Sequence, residues 1–160
     1  MSHASDPRPR VVAFDFDGTC AFGQEVWVQQ KEGRLRARRN VHNAVCVFRR
    51  GCPVLPFLIH TVESLMRRVD PAHVAPQMCG PKLLQALHPL CDFAVLPEVG
   101  ALSPLVVADL CGQGSGKALA LMLRQSEVLP QAVNLCASLL APADAGSLIH
   151  TLQTQGLAQH

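Results

Sequence analysis

The sequence predicts an α/β fold: a central parallel sheet, helices on both faces, and a β-hairpin after the first strand. Three observations predict it. Short apolar runs suited to strands alternate with segments of helical periodicity. The first run is continuous rather than alternating, as a strand buried on both faces of a parallel sheet requires. The chain has 160 residues, with 49% apolar and 16% charged side chains. That suits one domain burying about two-thirds of its unfolded surface, and it excludes a disordered tail protein.

The elements follow in order. Residues 1–9 read as a flexible N-terminal arm and residues 10–160 as a single domain. Residues 10–16 (RVVAFDF) lead β-branched and aromatic side chains into Asp17-Gly18, the pattern of a buried strand meeting a turn. Residues 26–38 alternate apolar and polar on both sides of Glu32-Gly33, which predicts a hairpin with Gly33 at positive φ. Residues 54–59, with prolines at 53 and 56, form a second apolar run read as a strand. Thr61, Val62, Leu65, Met66 and Val69 then share one helical face, which Asp70-Pro71 ends. Residues 81–90 predict a helix with Leu83, Leu84, Leu87 and Leu90 as its stripe. Residues 93–96 and 105–110 read as strands, 112–116 as a glycine-rich loop, and 117–128 as a helix. Residues 133–140 read as a strand, although 135–140 suit a helix equally well. Residues 145–155 predict a last helix, with Gly156 as its stop. No repeat, linker or second domain is visible.

A net charge of +2 gives no ground for a nucleic-acid partner. No apolar stretch approaches the roughly 20 residues of a membrane span. Residues 1–10 lack the apolar core of a signal peptide. The seven cysteines (20, 46, 52, 79, 91, 111 and 136) contain no C-x-x-C pair, which argues against zinc and dithiol motifs. They read as reduced, mostly buried thiols of a cytoplasmic protein. A secreted disulfide fold is the alternative.

The segment that carries chemistry is Asp15-Phe16-Asp17-Gly18-Thr19 at a predicted strand end. Residues two apart on a strand share a face, so both carboxylates start from one side, and Gly18 can re-aim the second. Ligand sites of open parallel sheets lie beyond the carboxyl ends of strands. Two carboxylates there can divide labour between nucleophile or metal ligand and proton donor. The same residues also suit an ordinary strand-end turn.

This D-F-D-G-T after an apolar strand resembles motif one, D-x-D-G-T, of the haloacid dehalogenase-like phosphatases. The resemblance implies a Rossmann-like fold in which the 26–38 hairpin is a flap, with little or no cap domain. It implies that Asp15 attacks a phosphoryl group and forms an aspartyl-phosphate. Asp17 would protonate the leaving oxygen and later activate water. A Mg²⁺ would sit between the Asp15 carboxylate, the Asp17 backbone carbonyl and a later acidic residue. Phosphoryl transfer asks chiefly for positioning and for cations that neutralise oxygen charge.

Under the same resemblance, Thr61 matches motif two and would hold a phosphoryl oxygen; as a residue it equally suits a helix N-cap. Lys117, after the glycine-rich loop, matches motif three, and Lys82 is its rival. Motif four normally presents two acidic residues. Asp144 takes the second place and Ala143 the first, a departure that deprives Mg²⁺ of one hard oxygen ligand. Asp109 is a candidate substitute.

Residues 112–117 do not make a phosphate-binding P-loop. Cys111 stands where that pattern needs glycine, and Ala118 where it needs Ser or Thr. Arg34, Arg36, Arg38 and Arg39 form a basic strip on the hairpin, either a solvated edge or a reader of anionic substrate. Trp27 either anchors the flap or covers a substrate. His60, beside Thr61, reads as packed or capping, and Cys20 directly follows the motif.

Two hypotheses follow. The first is a Mg²⁺-dependent phosphomonoester hydrolase acting on a small phosphorylated molecule or on an exposed phosphate of a macromolecule. The second is a catalytically degenerate domain of the same build, serving as a binding or assembly module. Geometry separates them. Asp144 or Asp109 beside Asp15, with Lys117 converging, marks the enzyme; an Asp15 without an acidic partner marks the module.

Overall fold

The computed structural model describes residues 14–134 and 144–151. Four strands form a mixed sheet in the order β2-β1-β3-β4. They are β1 (Cys20–Lys31), β2 (Arg34–Phe48), β3 (Ala94–Leu102) and β4 (Ala132–Asn134). Helices α1 (Val54–Arg68), α2 (Pro81–Leu87), α3 (Pro104–Leu110) and α4 (Lys117–Gln125) complete the α/β architecture. None of the described helices is long and apolar enough to cross a membrane.

The sheet is not wholly parallel. β1 runs parallel to β3, and β3 to β4, but β1 and β2 are antiparallel. The cause is the connection: two residues can join only antiparallel neighbours. Glu32 and Gly33 both take positive φ, 53° and 72°, as a two-residue turn matched to strand twist requires. The hairpin expected over 26–38 is thus present and longer, and it supplies half of the sheet.

Three expected strands are corrected. The motif residues precede the first strand instead of ending it: 14–16 are irregular, 17–19 bend, and β1 begins at Cys20. Residues 10–13, the rest of that expected strand, lie outside the described residues. Residues 54–59 are the first half of α1. Pro53 is its N-cap and Pro56 falls in its first turn, where backbone N–H groups have no intrahelical partner to lose. Residues 105–110 belong to α3, which starts after Ser103 with Pro104 at its first position. Short apolar runs fit strand and helix alike, and in both cases the proline fell at a helix start.

Elsewhere the order is as expected, with altered bounds. The helix expected over 81–90 is Pro81–Leu87, that over 117–128 is Lys117–Gln125, and the strand from 133 is Ala132–Asn134. Residues 148–151 are helical. The arm at 1–9 and the stretches 135–143 and 152–160 lie outside the described residues.

Strand β1 is interrupted near Gly23 on both sides. Its pairing with β2 jumps from Phe22↔Cys46 to Gly23↔His42, and with β3 from Gly23↔Leu96 to Gln24↔Gly100. Pro97 sits in the β3 irregularity, where a missing N–H does no harm. Strict alternation would put Phe22 and Glu25 on opposite faces. Yet α2 shares a core with Cys20 and Phe22 through Leu84 and Leu87, and it stands over Glu25 and Trp27 through Lys82 and Gln85. The irregularity re-aims the strand. Val26 and Val28 join a second core with Val106, Cys111, Ala118 and Met122 of the α3–α4 segment.

Candidate functional site

The structure divides the residues singled out by the sequence. Asp15 and Asp17 are exposed, and neither makes a hydrogen bond or ion pair among the described residues. Gly18 takes φ 87°. The cation beside this segment is Arg49, just after β2, which the sequence did not single out. Its guanidinium donates to the Phe16 carbonyl at 3.1 Å and lies 4.9 Å from the Phe16 ring centroid. The Arg49 N–H also donates to the Thr19 carbonyl at 2.8 Å.

Thr61 is not a helix cap by position. It lies within α1, and its hydroxyl donates to the Phe57 carbonyl at 2.8 Å, back-bonding within its own helix. Lys117, exposed, is the first residue of α4. Asp109 accepts N–H groups of Gly116 and Leu119, both at 2.9 Å. It therefore caps α4, and a Cβ on Gly114 would stand 1.9 Å from its oxygen. Asp144 lies beside Gly112, its N–H donating to the Cys111 carbonyl at 3.0 Å.

Lys117, Asp109 and Asp144 therefore gather around the 112–116 loop, while Asp15 and Asp17 stand elsewhere. β1 and β3 are parallel, and Ala21 pairs with Ala94 while Val26 pairs with Leu102. The motif enters at the amino end of that pair. The 112–116 loop follows the carboxyl end, joining the Val26 core through Cys111 and Ala118. The six residue steps from Cys20 to Val26 alone span about 20 Å. Asp15, Asp17 and Asp144 accordingly do not fit one Mg²⁺, whose hard oxygen ligands must converge at roughly 2 Å. Among the described residues, no group of three or more His, Cys, Asp or Glu side chains could hold a metal ion.

A different set converges. A cleft of about 490 Å³ opens between the hairpin and α2, within the range of small-molecule sites. Its floor is Glu25, Trp27 and Gln29 from β1 with Arg38 and Asn40 from β2. Hairpin register sets these opposite one another: Glu25↔Asn40, Trp27↔Arg38. Gln77, Pro81, Lys82 and Gln85 form the wall. The Gln85 side chain accepts the Val41 N–H at 3.1 Å and ties α2 to β2. The Trp27 indole N–H donates to Gln29 at 3.3 Å.

No family model, curated protein or solved structure matches the chain.

Electrostatics mark the same cleft. Glu25 is only 4% exposed. Burial pushes its carboxyl up to about 7, against an opposing hydrogen bond from the Asn40 side chain. Near neutrality it exists in both forms, and protonated it can donate a hydrogen bond. Arg38 and Lys82 make no ion pair among the described residues, whereas Arg36 pairs with Glu32 and Arg39 with Glu127. Half of this site was legible in the hairpin register. The other half comes from α2, far along the chain, which no local pattern connects to Trp27.

Proposed function

We propose that the chain is a binding module that takes a small anionic ligand in the cleft between the hairpin and α2. The observation that carries this reading is the meeting of Arg38 and Lys82 over a floor of Trp27 and buried Glu25. Arg38 offers a planar, bidentate fork to an oxyanion, and Lys82 a compact point charge. The Trp27 ring offers a flat apolar surface, and amide side chains complete the hydrogen bonding.

The phosphatase reading stands second. The observation favouring it is the exposed Asp15–Asp17 pair, free of partners among the described residues, with Arg49 alongside. On that reading the fold is Rossmann-like, the hairpin is a flap, Asp15 is the nucleophile and Asp17 the proton donor. Thr61 and Lys117, held by α1 and by the start of α4, would have to reach the Asp15 segment.

One ligand tests both, because p-nitrophenyl phosphate carries a flat ring and a dianion. The module should bind it without turnover, and Arg38→Ala or Lys82→Ala should each weaken binding about tenfold or more, the worth of one charge-assisted hydrogen bond. Asp15→Asn should leave that binding unchanged. Mg²⁺-dependent hydrolysis lost in Asp15→Asn would establish the phosphatase instead. Neither binding nor turnover would refute the anion site.

A further inference from the structure

We infer that Cys52 and Cys20 form an oxidisable dithiol, which a hydroperoxide converts to a disulfide. Cys20 opens β1 directly after the motif, and Cys52 lies two residues before α1. Two short bonds hold the segments together: Arg49 N–H donates to the Thr19 carbonyl at 2.8 Å, and Cys52 N–H to the Arg49 carbonyl at 3.0 Å. The Cys52 thiol reaches the hydroxyl of Thr19, the residue next to Cys20, at 3.4 Å, and each thiol's pKa is shifted in part by the other. Both side chains are buried in one core.

The two sulfurs are prepared for different roles. Burial pushes the Cys52 thiol up. Hydrogen bonds from Thr19, from the Leu55 and Val54 backbone N–H groups and from Cys20 outweigh it and hold the thiol below its ordinary value. A thiolate there is the nucleophile. Cys20 is pushed up to about 12, by burial first and then by its hydrogen bond to Cys52 and the Cys52 charge. It therefore stays protonated near neutral pH. Once Cys52 is oxidised and neutral, the contribution from its charge disappears.

Access selects the oxidant. Cys52 is 6% exposed and Cys20 fully covered, so a molecule near the size of water reaches the sulfur far more readily than a bulky disulfide. The Cys52 thiolate attacks one oxygen of hydrogen peroxide; the O–O bond breaks, and hydroxide leaves and takes up a proton as water. Cys52 is then a sulfenic acid. The Cys20 sulfur gives up its proton and attacks the Cys52 sulfur; the S–O bond breaks and a second water leaves. Two electrons pass from the thiol pair to the peroxide.

The test is cysteine mapping of the folded full chain after equimolar hydrogen peroxide and alkylation of the remaining thiols. The expected map joins the peptides containing Cys20 and Cys52 and leaves exposed Cys46 alkylated. Cys52→Ser should slow thiol loss roughly tenfold or more, because the activated thiolate is gone. Cys20→Ala should leave a Cys52 sulfenic acid that dimedone captures. Should Cys20→Ala fail to fold, the wild-type map decides alone. Oxidation of Cys46 or Cys79 with Cys20 and Cys52 still reduced, or a bond from Cys52 to half-buried Cys91, overturns the inference.

Discussion

Replacing Glu25 with glutamine isolates the cost of a carboxyl in the cleft floor. The group is 4% exposed, and its pKa rises from an ordinary 4.5 to about 7, chiefly by burial. At about 1.4 kcal/mol per pKa unit, ionising it in the folded chain costs about 3 kcal/mol. Between the two values the folded state holds a proton that the unfolded state has released. Stability from this group is therefore full below about pH 4.5 and is lost as pH rises to about 7. Glutamine copies the protonated shape at every pH. Glu25→Gln should accordingly exceed wild type in unfolding free energy by about 3 kcal/mol above pH 7, and by about 1 kcal/mol or less near pH 5. Urea unfolding of both proteins across that range reads the difference directly. The comparison also removes His42, whose imidazole burial holds below its ordinary 6.5. With its pKa lowered by burial, His42 costs stability as pH falls, the opposite slope, and does so equally in both proteins. A difference that stays constant with pH, or a glutamine variant less stable at high pH, would refute the reasoning.

Asp109→Ala removes the acceptor for the Gly116 and Leu119 N–H groups, and chemical denaturation should register a loss of about 1–2 kcal/mol, the worth of a helix cap. Gly100→Ala should be far worse. Its Cβ would stand 1.6 Å from the Gln24 carbonyl oxygen, so the β1–β3 pair must shift, at a cost beyond about 4 kcal/mol; circular dichroism and thermal melting would show a destabilised or unfolded chain. Thr61→Val should change stability by less than about 1 kcal/mol, since its hydroxyl only back-bonds to Phe57. It should leave binding of p-nitrophenyl phosphate unchanged, and a tenfold loss measured by calorimetry would place Thr61 in the site after all.

The hairpin was legible because its signals are local. Glu32-Gly33 sets the turn, and the turn sets every cross-strand pair as far as Gly23. The starts of α2 and α4 were legible for a similar reason, as Pro81 and Gly116 punctuate the chain. The runs at 54–59 and 105–110 misled because a short apolar stretch carries no period of its own. Pro53, Pro56 and Pro104 were the available signal, since proline suits the first turn of a helix. The D-F-D-G-T segment shows the limit of a motif. Its residues are plain in the sequence, but their chemistry depends on which end of β1 they meet.

The sequence by itself determined an α/β chain with a hairpin near its start, because apolar periodicity and turn residues act over a few neighbours. Tertiary structure alone decided which charges meet. The irregularity at Gly23 re-aims Glu25 and Trp27 toward α2, so Lys82 faces Arg38 across a cleft and not Asp15. Tertiary structure also brought Asp144 beside Gly112, in the loop that leads into Lys117. A backbone bulge shifts every later side chain on its strand, and the register that results belongs to no single stretch of sequence.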